Sequence, residues 1–187
     1  MAQRSELYIS VDIEASGPIP GIYSLLSIGA CNIDHPEQNF QCEIKPLNSN
    51  AIPEALNVCG LSLESLQQTG LEPVQAMQMF SQWLSSLVID QRLVFVGLNA
   101  GFDWSFINYY FWAFLGHNPF GISALDIKSY FMAAQHCKWS ETSSRHMDRL
   151  LHPKLSKNHN ALDDALYQAE LFRLIRGQQL KMNRPLG

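Results

Sequence analysis

The chain has 187 residues, 47% of them hydrophobic and 11% aromatic, and its 13 Lys and Arg against 17 Asp and Glu give a formal net charge of −4. That is enough for one ordinary domain with a substantial core, and the aromatic content excludes a disordered chain. Met1 to Glu6 is polar, with no apolar run ahead of a small-residue cleavage site, and no stretch approaches the roughly 18 apolar residues of a membrane span. A single cytoplasmic domain over 1–187 is expected, with a core at about 7–176, a tail at 177–187 and no membrane partner. Cys31, Cys42, Cys59 and Cys137 are scattered without C-x-x-C spacing, which argues against both a zinc knuckle and a disulfide framework.

Leu7, Ile9, Val11 and Ile13 alternate with Tyr8, Ser10, Asp12 and Glu14, the pattern of a strand with two carboxylates on one side of its end. Like charges that close repel unless a cation sits between them, and a divalent metal is the simplest cation; two solvated acids on an exposed edge strand are the alternative. Ser16-Gly17-Pro18-Ile19-Pro20-Gly21 then breaks the strand. A second strand is predicted within Tyr23 to Ile33, where Gly29 lets a neighbouring element approach, and a third over Asn39 to Lys45 closes a hairpin after the Asp34-to-Glu37 turn. The sheet therefore starts with three antiparallel strands.

From Pro46 to Gly70 the signal is weak, with a short helix over Ser62 to Leu66 after a bend at Asn57 to Gly60. Pro73 suits the first turn of a helix whose Met77, Phe80, Trp83, Leu84, Leu87 and Val88 share one face. The apolar run Leu93 to Leu98 reads as a strand buried on both faces, and Asn99-Ala100-Gly101-Phe102-Asp103 leads from it into a helix. Asp103 thus reaches the C-terminal edge of the sheet, where open α/β sheets bind ligands, though a helix-capping role is equally open. That helix, 103–115, carries Trp104, Phe106, Tyr109, Tyr110, Phe111, Trp112 and Phe114 around its circumference. Core packing with a homodimer surface is the favoured use of these rings over a base-stacking platform. Ile122 to Ile127 is a last short strand ending in Asp126, which serves either as a cap for the next helix or as support for the site.

Charge is uneven: residues 1–127 hold 3 basic and 12 acidic groups, whereas 128–157 hold six basic against two acidic, a local surplus that could meet phosphates. His159-Asn160-Ala161-Leu162-Asp163-Asp164 opens the final helix, whose Ala161, Leu162, Ala165, Leu166, Ala169, Phe172 and Ile175 gather on one face. Asp164 falls nearer that face than Asp163 and is the better site candidate, with His159 five residues before it.

Asp12-Ile13-Glu14, then Asn99 to Asp103, then His159 and Asp164 resemble, in order and spacing, the histidine-containing DEDD (DEDDh) exonucleases, the superfamily of polymerase proofreading subunits, oligoribonuclease and RNase T. The resemblance runs from about Leu7 to Ile175 and implies a ribonuclease H-like α/β fold, a mixed five-stranded sheet flanked by helices. It implies 3′–5′ exonuclease activity on single-stranded DNA or RNA ends, releasing nucleoside 5′-monophosphates, with two divalent ions, Mg²⁺ or Mn²⁺, on Asp12, Glu14, Asp103 and Asp164. In that scheme His159 takes the proton from the attacking water. Two such ions would bring the formal charge from −4 to about 0, so an acidic chain is compatible with a nucleic-acid substrate. Candidate substrate contacts are Ser16, Gly17, Asn99, Phe102, Lys154 and Lys157. Many members have an acidic residue or Gln where this chain has Ser27, and His where it has Leu98, departures that bear on nucleotide preference. A binding module without turnover and a small-nucleotide phosphodiesterase are the alternatives; no G-x-x-x-x-G-K-[ST] or H-E-x-x-H is present to support an NTPase or a zinc protease.

Overall fold

The alternating stretch forms β1 (Glu6–Ala15), which pairs antiparallel with β2 (Leu25–Asn32) on one side and parallel with β4 (Arg92–Gly97) on the other. The hairpin partner β3 (Asn39–Glu43) and the short β5 (Ala124–Asp126) complete a sheet in the order β3-β2-β1-β4-β5. These features come from a computed structural model that describes residues 4–182. β1 is the central strand, so the edge-strand reading of Asp12 and Glu14 is overturned: Ser10 and Asp12 are buried along with Ile9, Val11 and Ile13.

Both faces of the sheet are covered. On the Ile9, Val11 and Ile13 side lie α3 (Pro73–Leu87), through Met77, Phe80 and Leu84, and α4 (Gly101–Leu115), through Phe106, Tyr110 and Phe111. Eight aromatics spread around α4 need partners on several sides, and the structure supplies them. Trp104 meets Phe95 edge-on with centroids 5.2 Å apart, and the buried Tyr110 hydroxyl accepts the Leu25 N–H at 2.8 Å. Tyr109 and Trp112 keep exposed rings. On the other face α7 (Ala161–Met182) crosses β1 and β2, with Tyr167, Leu171, Phe172 and Ile175 buried against Cys31, Ile33 and Val96. α5 (Ile127–Gln135), a 3₁₀ turn (Trp139–Glu141) and α6 (Ser144–Leu151) pack around α7. The four cysteines are free. Among the described residues no helix is long and apolar enough to cross a membrane.

Several boundaries differ from the sequence reading. The bend at Asn57 to Gly60 is the end of a helix, α1 (Pro53–Cys59), stopped by Gly60 at φ 68°, and the helix after it is α2 (Leu63–Thr69). α1 buries no residue, so it leaves no apolar periodicity to read. α4 begins two residues before Asp103, and the last strand is shorter than Ile122 to Ile127, with Ile122 exposed. α7 runs on through residues 177–182 of the expected tail; 183–187 lie outside the described residues.

One close approach fixes where α7 sits. Gly29 of β2 stands opposite Asp12 of β1, and cross-strand partners share a face, so both look toward α7. A Cβ on Gly29 would lie 2.1 Å from the Ala161 carbonyl carbon and 2.2 Å from the Leu162 nitrogen. The backbone of the first turn of α7 therefore occupies the room that a side chain would need, as the sequence anticipated for this glycine. We expect Gly29→Ala to lower the unfolding free energy by at least about 1–3 kcal/mol, since neither backbone can yield as a side chain would. Urea denaturation checks this; an unchanged midpoint and slope would mean that α7 does not rest on β2 at this point.

Candidate active site

Asp12 and Glu14 project from the C-terminal half of β1 on its α7 side, Asp12 buried at 6% exposure and Glu14 half-buried. The parallel ladder to β4 ends at Ser10, so beyond it the strands part and the Ile13 N–H has no strand partner on that side. Asp103, in the first turn of α4, fills the gap: its Oδ1 accepts the Ile13 N–H at 3.1 Å. Asp126 serves in both of the ways considered for it. Its Oδ1 caps α5 through the Ser129 N–H at 2.7 Å, and its Oδ2 accepts the Ala100 N–H at 2.8 Å, which ties down the turn that delivers Asp103.

The fourth acid comes from α7. Asp164 is fully buried while Asp163 is exposed, as the helical geometry predicts. Asp164 Oδ1 accepts the Asn158 N–H at 2.8 Å; Oδ2 has no hydrogen bond among the described residues and faces the Lys157 ammonium at 3.7 Å. His159 is exposed, with φ 62°, a left-handed conformation uncommon outside glycine. Asn158 Oδ1 accepts the Asn160 N–H at 3.0 Å, and Asn160 Oδ1 accepts the Leu162 N–H at 3.1 Å, so a tight polar loop presents the imidazole. One ring nitrogen of His159 and one carboxylate oxygen each from Glu14 and Asp164 lie within 4.8 Å of one another.

Packing these acids together has an electrostatic cost. Burial, then the charge of Asp103, pushes the Asp12 carboxyl well above the usual carboxylate range, and Lys157 opposes the shift. Burial raises Asp103 to about 7 despite the Ile13 N–H that favours its charged form. Burial and the Asp164 charge raise Glu14 to about 7, again against Lys157. Three carboxyls that resist ionisation, beside a buried Asp164 oxygen without a donor, fit a divalent cation of the hard, oxygen-seeking kind.

A cavity of about 450 Å³ opens over this group, lined by Asp12, Glu14, Asp103, His159 and Lys157, with Glu54, Ala55 and Val58 of α1, Leu98, Asn99 and Phe102 among its other walls. Asn99 and Phe102, two of the expected substrate contacts, line this cavity, and Leu98 adds apolar wall beside them. Ser27, the other departure, is buried beside Glu14 in the strand register. Ser16 and Gly17 have a different task. The buried Ser16 hydroxyl donates to the Asn50 carbonyl at 2.8 Å and accepts the Ser24 N–H at 2.9 Å, while Gly17 lies against the Tyr23 ring, so both shape the turn after β1. Lys154 sits outside the cavity, its backbone N–H on the Glu170 carboxylate at 3.0 Å. A larger cleft of about 630 Å³ at the opposite end of β1 and β4, around Arg4, Glu6 and Arg92, gathers no comparable set of acids.

Besides the α1 residues that line the cavity, a buried polar residue of the site escapes the sequence reading. Gln168, one turn after Asp164 on α7, is buried, and its Nε2 donates to Asp12 Oδ1 while its Oε1 accepts the Leu98 N–H at 2.8 Å. The available signal is an amide four residues from Asp164, on a helix face that otherwise packs.

The exonuclease family typified by RNase T matches residues 9–172 of the chain. A 3′-5′ DNA exonuclease of Escherichia coli, Cap18, is 53% identical over 176 residues, 94% of either chain. In fold the chain is similar to the nuclease domain of 3′hExo, a DEDDh family member bound to rAMP, with a TM-score of 0.74 at 15% identity over 92% of each chain. It is also similar to E. coli Exonuclease I in complex with a dT13 oligonucleotide, with a TM-score of 0.74 at 15% identity, covering 96% of this chain and 42% of that one. With Asp12, Glu14, Asp103 and His159 lining one cavity on this fold and Asp164 buried beside Glu14 and His159, the chain belongs to the exonuclease family, as a 3′–5′ exonuclease of the DEDDh type.

Proposed function

We propose that this exonuclease acts in the cytoplasm on 3′ ends of single-stranded DNA, releasing nucleoside 5′-monophosphates, with two divalent ions, Mg²⁺ or Mn²⁺, on Asp12, Glu14, Asp103 and Asp164. The observation that carries the reading is the meeting of four acids from three elements beside one exposed histidine. The relative named for DNA, at 53% identity, supports that polymer over RNA. Oxygen donors suit Mg²⁺ and Mn²⁺, which would stabilise charge on the phosphate and make water a better nucleophile. The residues of the chain do the rest. His159 Nδ1 or Nε2 takes the proton of the attacking water, and its exposure at the rim keeps it free to pass that proton to solvent. Phe102 and Val58 offer apolar wall to a terminal base, and Lys157 offers its ammonium to a phosphate. The exposed rings of Tyr109 and Trp112 on α4 suit a homodimer; sedimentation of Trp112→Lys as a monomer beside a dimeric wild type is the expected result, and two identical profiles would refute it.

Activity tests the reading directly. On end-labelled single-stranded DNA, Asp12→Ala and Asp164→Ala should lose turnover while remaining folded, and a fully active Asp12→Ala would sink the metal assignment. His159→Ala should lower kcat by roughly 10²–10⁴-fold with little change in DNA binding or Mn²⁺ affinity, as expected of a base. Collapse of Mn²⁺ binding in His159→Ala would make the residue a ligand instead.

The raised carboxyls give a pH test. Between 4.5 and about 7 the unfolded chain has released the Glu14 proton and the folded chain still holds it, and Asp103 behaves likewise from 3.8 to about 7. Stability from these groups is therefore present at low pH and lost as pH rises through about 7. With chelator, Tm should fall between about pH 4 and about pH 7, and saturating Mn²⁺ should raise Tm most at the upper end. A Tm insensitive to Mn²⁺ at every pH would contradict the site.

A further inference from the structure

The reading of Asp12 as a metal ligand leaves open what aims its carboxylate. Asp12 lies on a strand buried on both faces, and a free carboxylate there could turn about its Cβ–Cγ bond to either of its neighbours. Gln168 removes that freedom. It is 1% exposed, on the face of α7 that buries Ala165, Ala169 and Phe172, where an apolar residue of the same size would pack as well without the desolvation of an amide. Both ends of the amide are nonetheless matched, Nε2 to Asp12 and Oε1 to Leu98.

The Leu98 N–H decides which way the amide points. Leu98 lies one residue past β4, its N–H is a donor, and only the amide oxygen can accept from it. With the oxygen held there, the NH₂ must face Asp12. The flipped amide would set an oxygen against a carboxylate and a donor against a donor. A backbone group at the end of β4 thus fixes a side chain of α7, which in turn fixes an acid of β1. Oδ1 of Asp12 takes the amide donor, which leaves Oδ2 and the second lone pair of Oδ1 to face a cation.

We infer that Gln168 is the positioning residue of the site: it sets the orientation of Asp12, and through it the affinity of the exonuclease for its divalent ion. The inference rests on the proposed metal role of Asp12. Gln168→Met keeps the volume of the side chain and removes donor and acceptor together. Calorimetric titration should find its Mn²⁺ affinity about 10–100-fold below wild type, the usual effect of losing a hydrogen-bond partner of a ligand. KM for single-stranded DNA should stay unchanged, and kcat should drop at limiting Mn²⁺ and recover as Mn²⁺ is raised. A merely structural residue would lower Tm and leave Mn²⁺ affinity at the wild-type value, which would overturn the proposal.

A second measurement needs no folded variant. In ¹⁵N-labelled wild-type protein the Gln168 side-chain amide resonance should move over the same Mg²⁺ range that titrates the site by calorimetry. An amide that stays still while Mg²⁺ binds would refute the link to Asp12. Neither metal titration involves substrate, so both stand if the protein proves inactive on DNA, and a failure of the DNA reading is told apart from a failure of this one.

Discussion

The approach of the first turn of α7 to the bare backbone of Gly29 is the constraint on which the site depends. A helix laid across a sheet normally stands off by the length of the side chains between them. Here it drops to the strand surface at one end, next to Asp12 in the register, so Asp164 and Gln168 reach an acid on the central strand. The same docking buries Tyr167, Leu171 and Phe172, so the apolar area that holds α7 in place also holds two polar residues of the site at their stations. Burial is thus the source both of the stability of the helix and of the raised carboxyls beneath it.

Those carboxyls describe a fold that spends stability on function. Four acids from three elements are brought together, three of them buried, with Lys157 as a nearby positive charge and the Ile13, Asn158 and Gln168 donors sharing the load. Each donor is a group that regular structure leaves free: a strand N–H past the end of its ladder, a loop N–H before a helix, an amide aimed by another loop N–H. The site is therefore built where secondary structure ends, at the carboxyl edge of the sheet, which is also where backbone donors without other partners collect.

Much of this was legible in the sequence because it rests on local periodicity. Strand alternation set Asp12 and Glu14 on one side of β1, the strand-to-helix passage brought Asp103 to the sheet edge, and helical spacing preferred Asp164 over Asp163. What depends on contact across the chain was not legible. α1 contributes Ala55 and Val58 to the cavity but buries nothing, so it has no apolar stripe to betray it. The partners of Gln168 are 156 and 70 residues away, and an amide on a packed helix face reads the same whether it is matched or not. Ser16 and Gly17 sit beside the D-x-E motif in sequence yet serve the turn, because the strand ends and the chain leaves the cavity at that point.

The span between the two halves of the site has a bearing on how the enzyme comes into being. Asp12, Glu14 and Asp103 are all made before β5, while His159 lies in the loop that leads into the last element, α7, which carries Asp164 and Gln168. Contacts of such separation form late, since loop closure over the intervening chain comes first. A ribosome-bound chain that has not yet released α7 can pair its strands but holds neither Asp164 nor Gln168. The residues of the site are thus brought together only by the final docking event, and until then the cluster stands incomplete.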